Sequence, residues 1–157
     1  MEVNEIHDIC KEYGIKYYTI NSDGSIDVNR SVSLNNLGLV NIPLKFNKVL
    51  GFFDCSENNL TSLKGCPKYV GKWFDCSYNN LTSLVGGPNK VNKFYDCDEN
   101  NITSLEGCPK EVGIKLYCTG NPLTTLNGIN IPYGKLDHFI GVEKLIRKHK
   151  LSNYLKL

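Results

Sequence analysis

Three large aromatic residues, Phe52, Trp73 and Phe94, stand 21 residues apart, and an aspartate follows two positions after each: Asp54, Asp75 and Asp96. A row of flat rings suits the burial of apolar surface against a partner, and Trp and Tyr are prominent among the residues that dominate protein interfaces. A row of carboxylates attracts a basic partner and steers its approach. Like charges directly opposite one another in a sheet are mildly destabilising, so three in a row point to such a partner. The competing explanation is that aspartate is only a solvated strand residue of a repeat. Calcium fits poorly, because its usual shell of about six to eight oxygens is hard to gather from single carboxylates in a flat row.

Other chemistry is sparse. The seven cysteines, Cys10, Cys55, Cys66, Cys76, Cys97, Cys108 and Cys118, form no Cys-x-x-Cys pair, and His7, His138 and His149 do not complete a zinc site. Buried structural thiols are expected. Asn59-Leu-Thr61, Asn80-Leu-Thr82 and Asn101-Ile-Thr103 match glycosylation acceptors but are better explained as repeat structure. No phosphate-binding loop occurs, and no Ser, His and Asp set sits in a nucleophile context. His138, beside Asp137, reads as a capping neighbour rather than a general base. The chain is expected not to be an enzyme, and to need neither cofactor nor metal.

The elements that position these residues come from an internal repeat. Asp54-Cys-Ser-Glu-Asn-Asn-Leu-Thr-Ser-Leu63, Asp75-Cys-Ser-Tyr-Asn-Asn-Leu-Thr-Ser-Leu84 and Asp96-Cys-Asp-Glu-Asn-Asn-Ile-Thr-Ser-Leu105 align without a gap at a spacing of 21 residues. Tyr117-Cys-Thr-Gly-Asn-Pro-Leu-Thr-Thr-Leu126 is a fourth copy, and Ser33–Ile42 a decayed earlier one. Within a copy, Phe74-Asp75-Cys76-Ser77 alternates apolar and polar, which predicts a short strand. Asn79 follows at a bend, where its amide can satisfy backbone groups. Leu81, Leu84 and Val91 return to the core, with Gly86 and Pro88 turning the chain between them. One coil cannot bury its apolar face alone, so stacked coils with parallel strands on one side are expected. Strands are predicted near Leu34, Cys55, Cys76, Cys97 and Cys118.

The ends differ. Val3, Ile6, Ile9 and Cys10 have helical spacing over residues 3–13, with Gly14 as a stop. Tyr17–Ile20 and Ser25–Val28 flank Asn21-Ser-Asp-Gly24 and read as a hairpin. A second helix is predicted over residues 137–155 with Asp137 as its N-cap. The chain divides into an N-terminal cap over 1–31, repeats over 32–131 and a C-terminal helical cap over 132–157. The net charge of +2 over 157 residues is low for a generic nucleic-acid binder. The segment 128–157 holds six basic residues against two acidic ones, either a solvated helix face or a docking patch. No run of about 18 apolar residues predicts a membrane span. Met1-Glu-Val-Asn4 lacks the basic flank and apolar core of a secretion signal, so a reduced cytoplasmic setting is expected.

The pattern Phe-x-Cys-x-x-Asn-x-Leu-x-x-Leu resembles the leucine-rich repeat, with Cys at a leucine position, over residues 32–131. The phrasing of the copies, and the leader Tyr18–Val28, are similar to small leucine-rich repeat proteins encoded by bacteriophages. The family implies an α/β repeat fold: a curved solenoid of about five 21-residue coils, with a parallel sheet on the concave face, used for binding without catalysis. Leu37 stands where Asn is expected in the first copy, and Pro122 interrupts the last.

If Phe53, Phe74, Tyr95 and Leu116 point inward with the cysteines, the exposed rows follow. They are Phe52, Trp73, Phe94 and Lys115, then Asp54, Asp75, Asp96 and Tyr117, with Tyr78 further on beside Glu57 and Glu99. Neighbours in a row would lie about 4.8 Å apart. An exposed aromatic ladder of this kind is expected to meet a partner. Cover by a cap or a second subunit, or an inward twist, are the alternatives. The expected partner is a protein with a basic or apolar surface, and the bacteriophage resemblance implies a host protein, such as a defence component. Neither a membrane nor nucleic acid is expected. A nucleotide-like small ligand and self-assembly, including a homodimer, are the rival readings.

Overall fold

The structure is a computed structural model that describes residues 1–137 and 141–155. Helix α1 (Val3–Glu12) opens the chain, followed by β1 (Tyr18–Ile20) and β2 (Ile26–Val28), which pair antiparallel. The strands β3 (Val32–Ser33), β4 (Phe46–Val49), β5 (Phe53–Asp54), β6 (Tyr69–Val70), β7 (Phe74–Asp75), β8 (Lys90–Val91), β9 (Tyr95–Asp96), β10 (Glu111–Val112) and β11 (Leu116–Tyr117) follow. They alternate between two sheets. The first has the order β1-β2-β4-β6-β8-β10 and the second β3-β5-β7-β9-β11. Every pairing except β1 with β2 is parallel. The result is a solenoid: from β3 the chain returns to the second sheet at β5, β7, β9 and β11, which makes about four turns. A 3₁₀ turn at Tyr133–Lys135 and helix α2 (Val142–Tyr154) end the described chain.

The coil follows from its residue alternation. Phe74 and Cys76 are fully buried while Asp75 between them is half-buried. Phe53, Phe74, Tyr95 and Leu116 join Val49, Val70, Val91 and Val112 of the first sheet and Leu60, Leu63, Leu81 and Leu84 of the connecting arms in one buried cluster. Burying each such side chain stabilises the fold by about 1.5–3 kcal/mol before entropy is counted. The rings of Phe53 and Phe74 stack at 5.8 Å between centroids, and those of Phe74 and Tyr95 lie at 4.9 Å. Cysteine stands where leucine would fit because it does more than fill space. The Cys55, Cys76 and Cys97 thiols donate to the backbone carbonyls of Asp75, Asp96 and Tyr117 in the next coil, at 3.3, 3.2 and 3.1 Å.

All seven cysteines are free and buried. Burial pushes the Cys76 and Cys97 thiols well up and that of Cys118 to about 12. Thiolate is the reactive form. Native protein is therefore expected to label slowly at Cys55, Cys76, Cys97 and Cys118 and completely after denaturation, read by mass spectrometry with a maleimide. Fast labelling at any of the four would overturn their core placement.

The structure departs from the sequence expectation in two places. First, the parallel strands do not lie on one side only. Two-residue segments such as Lys90–Val91 add parallel pairings in the first sheet, on the other side of the coil from the predicted strands, because one buried valine per coil and a carbonyl ladder suffice for pairing. Second, α2 begins at Val142 with Gly141 as N-cap in a left-handed conformation, φ 89°. Asp137 is not that cap. Its N–H bonds the Leu116 carbonyl, and Leu136 pairs with Leu116 in parallel, so this stretch extends the second sheet. The predicted capping neighbour His138 lies outside the described residues.

One pair of irregularities in the repeat cancels. Gly87 stands where its neighbours carry Cys66 and Cys108, and Tyr95 stands where the other copies carry Phe53, Phe74 and Leu116. A Cβ on Gly87 would lie 3.0 Å from the Tyr95 hydroxyl. The extra hydroxyl of one coil thus occupies space left by the missing thiol of the previous one. It remains without a hydrogen-bond partner among the described residues.

Candidate functional site

The outer face of the second sheet carries the residues singled out by the repeat. Strand alternation that buries Phe53, Phe74 and Tyr95 leaves Phe52, Trp73 and Phe94 half-buried on the other side, each in the residue preceding a strand. Backbone bonds from Phe53 N–H to the Trp73 carbonyl and from Phe74 N–H to the Phe94 carbonyl bring these coils into one register. The Phe52 and Trp73 rings stack face to face at 4.2 Å, with 4° between their planes. Phe94 packs instead on Tyr117, at 5.8 Å and 36°. Among the described residues no ring contact joins Trp73 to Phe94. The ladder is therefore two pairs with a break between them. A shallow cavity of about 300 Å³ opens at the break, lined by Trp73, Phe74, Asp75, Phe94, Asp96 and Tyr117.

The aspartates stand in register, Asp54 beside Asp75 and Asp75 beside Asp96, with Tyr117 completing the row. Each uses one oxygen structurally. Asp75 Oδ1 accepts the Ser77 N–H at 2.9 Å and the Ser77 hydroxyl at 2.6 Å, and Asp54 Oδ1 holds Ser56 in the same way at 3.0 and 2.7 Å. Asp96 Oδ1 accepts the Asp98 N–H at 3.0 Å. This supports the plain explanation of aspartate as a repeat residue for one oxygen of each. Among the described residues the second oxygen has no such role. Among the described residues, ion pairs join Lys45 to Asp23 and Lys90 to Glu111, and none reaches this row.

The electrostatic consequence is measurable. Burial pushes the Asp96 carboxyl up to about 6, against the Asp98 N–H, and repulsion from Asp75, Asp98 and Asp137 adds to it. Burial likewise raises Asp75, with Asp54 and Glu57 contributing, and raises Asp98. Asp98 and Asp137 are the site residues that the repeat did not single out. Asp98 occupies the position of Ser56 and Ser77, which a comparison of copies could have flagged. Asp137 arrives only through the Leu136–Leu116 pairing.

Of the other predicted residues, Tyr117 belongs to the cavity, whereas Tyr78 stands apart. Tyr78 is 60% exposed at the bend after β7, in the left-handed region at φ 52°, as are Glu57 and Glu99 in their copies. The basic C-terminal end is partly engaged. Lys135 donates its amine to the Val112 and Gly113 carbonyls, and the Lys150 amine lies 5.2 Å from the centre of the Tyr133 ring. Among the described residues no group of three or more His, Cys, Asp or Glu is placed to hold a metal ion, and no helix is long and apolar enough to cross a membrane. Comparison with protein-family profiles, with curated proteins and with solved structures returned no match.

Proposed function

We propose that the chain is a non-enzymatic protein-binding module of leucine-rich-repeat type, whose second sheet forms the concave face and docks a partner protein. Phe52, Trp73, Phe94 and Tyr117 supply apolar contact, Asp54, Asp75 and Asp96 charge complementarity, and Tyr78 a contact at the edge. The observation that carries this reading is the aromatic row on the outer side of a sheet whose inner side is already fully packed. Rings so placed add nothing to the core and offer a preformed apolar surface. The phrasing of the repeats supports a bacteriophage origin, with a host protein, a defence component in particular, as the target in the host cytoplasm.

A pull-down from host lysate with mass spectrometry tests the reading. Trp73→Ala is expected to weaken capture by at least about 2 kcal/mol, a hot-spot magnitude, with circular dichroism unchanged. Asp75→Lys is expected to slow association and alter its salt dependence. Normal capture by folded Trp73→Ala would remove this face as the working surface.

Self-assembly is a second reading, favoured by one observation. The first sheet exposes Lys48, with Lys68 and Lys110 in the neighbouring row, opposite in charge to the aspartate face, while Lys90 in the Lys48 row is paired with Glu111. Light scattering separates the two: concentration-dependent growth of the pure chain, lost in Trp73→Ala, would favour self-assembly.

A further inference from the structure

We propose that the break in the aromatic row is a seat for the guanidinium of an arginine side chain on the partner protein. This rests on the reading of the second sheet as the docking surface and names what that surface recognises.

The cavity at the break holds about 300 Å³, has Trp73, Phe94 and Tyr117 among its walls, and adds the Asp75 and Asp96 carboxylates to them. Rings and carboxylates together select a cation that is also flat. Guanidinium stacks on aromatic faces, is weakly hydrated and donates in a rigid fork that matches carboxylate oxygens. An ammonium is a compact, strongly hydrated point charge and would leave the ring faces poorly covered. A purely apolar occupant would strip water from two carboxylates and give them no partner, which is costly. An anion would meet Asp75, Asp96 and Asp98 in one patch.

Among the described residues no ion pair neutralises the patch. Lys115 follows Phe94 in the aromatic row, yet its amine is turned to the Leu136 carbonyl at 3.3 Å. The registered carboxylates repel one another, and burial together with that repulsion holds Asp96 above its ordinary range. A cation placed between Asp75 and Asp96 relieves both. The described residues thus keep in place an arrangement that is completed by a charge they do not supply.

Trp73 is the sole tryptophan, so its fluorescence reports on the cavity directly. The probe is the blocked pentapeptide Gly-Gly-Arg-Gly-Gly, titrated beside counterparts with lysine or with neutral citrulline at the centre. The arginine peptide is expected to give a saturable change in the millimolar range, weakened by salt. The citrulline peptide is expected to give none, and the lysine peptide to bind at least about fivefold more weakly. Asp96→Asn, and independently Asp75→Asn should the first fail to fold, is expected to weaken the arginine peptide at least about fivefold. Equal binding of arginine and citrulline, equal binding of arginine and lysine, or no saturation with any peptide would overturn the proposal. A silent titration combined with loss of partner capture by Trp73→Ala removes the arginine and leaves the docking surface standing. Unchanged capture by Trp73→Ala removes the docking surface itself, whatever the peptides do.

Discussion

Asn79→Ala is expected to destabilise the protein by about 4 kcal/mol, close to the whole stability of a marginal domain. The Asn79 amide is buried and fully employed. Its Nδ2 donates to the Cys55 carbonyl of the preceding coil at 3.0 Å and to the Cys76 and Ser77 carbonyls of its own at 3.2 and 3.1 Å. Its Oδ1 accepts the Leu60 N–H at 2.9 Å. Removing it strands a donor and up to three acceptors in a dry bend, and each orphaned group costs about 1–3 kcal/mol before the site relaxes or admits water. Asn100 makes the same set of bonds one coil on, so the two substitutions should cost alike. Asn80 is exposed, and Asn80→Ala is expected to change stability by less than about 0.5 kcal/mol. Asn79→Asp is a sharper control. It keeps the acceptor for Leu60, loses the donors and sets a charge against three carbonyls, so it should be no better than alanine. Chemical denaturation at neutral pH measures all four. A cost below about 1 kcal/mol for Asn79→Ala would mean that apolar stacking alone holds the coils in register.

The asparagine case shows what could be read from the sequence and what could not. The spacing of 21 residues, the alternation around each cysteine and the asparagine at the bend are local signals, and they placed the solenoid and the inward faces correctly. The role of each asparagine was legible too: an amide at a bend that can donate and accept was expected to satisfy loop backbone groups of the stack, and each one bonds the backbone of its own and the preceding coil. The first sheet was missed because Tyr69–Val70 and Lys90–Val91 are too short to show a period. The aromatic row was legible as a row. Its division into Phe52 with Trp73 and Phe94 with Tyr117 was not, because ring orientation depends on side-chain packing across coils rather than on spacing. Asp137 was read as a helix cap from its place before an apolar stretch. The Leu136–Leu116 pairing, a contact across 20 residues of chain, claimed it for the sheet instead.

Asp96→Asn is expected to make the protein more stable at neutral pH, while weakening whatever cation the face receives. The folded protein holds the Asp96 proton up to about pH 6, whereas an unfolded chain releases it near the ordinary carboxylate value of 3.8. Between those values the folded state binds more protons than the unfolded state, so the free energy of unfolding falls as pH rises. The contribution is fully present below about pH 3.8, is lost as pH passes through about 6, and stays lost above it. Asp75 and Asp98 are raised for the same reason and act in the same direction. The Lys45 amine and the Ser25 hydroxyl hold Asp23 well below its usual range, and that contribution is lost only as pH falls through the acid limb, so the two effects occupy separate windows. The contribution of Asp96, Asp75 and Asp98 should therefore weaken as pH rises toward neutrality. The full shift of Asp96 corresponds to about 3 kcal/mol, and solvent screening of this partly exposed group reduces that to about 1 kcal/mol. Asparagine keeps an oxygen for the Asp98 N–H and removes the repulsion with Asp75, Asp98 and Asp137. Thermal melts at pH 7.5 and pH 4 should show a gain of about 1 kcal/mol for Asp96→Asn at the higher pH and little at the lower. Equal stability at both values would mean that Asp96 is as well solvated as any surface carboxylate. A gain at neutral pH, joined to weaker binding of the arginine peptide, would mark Asp96 as a residue held against the interest of the fold for the sake of the partner.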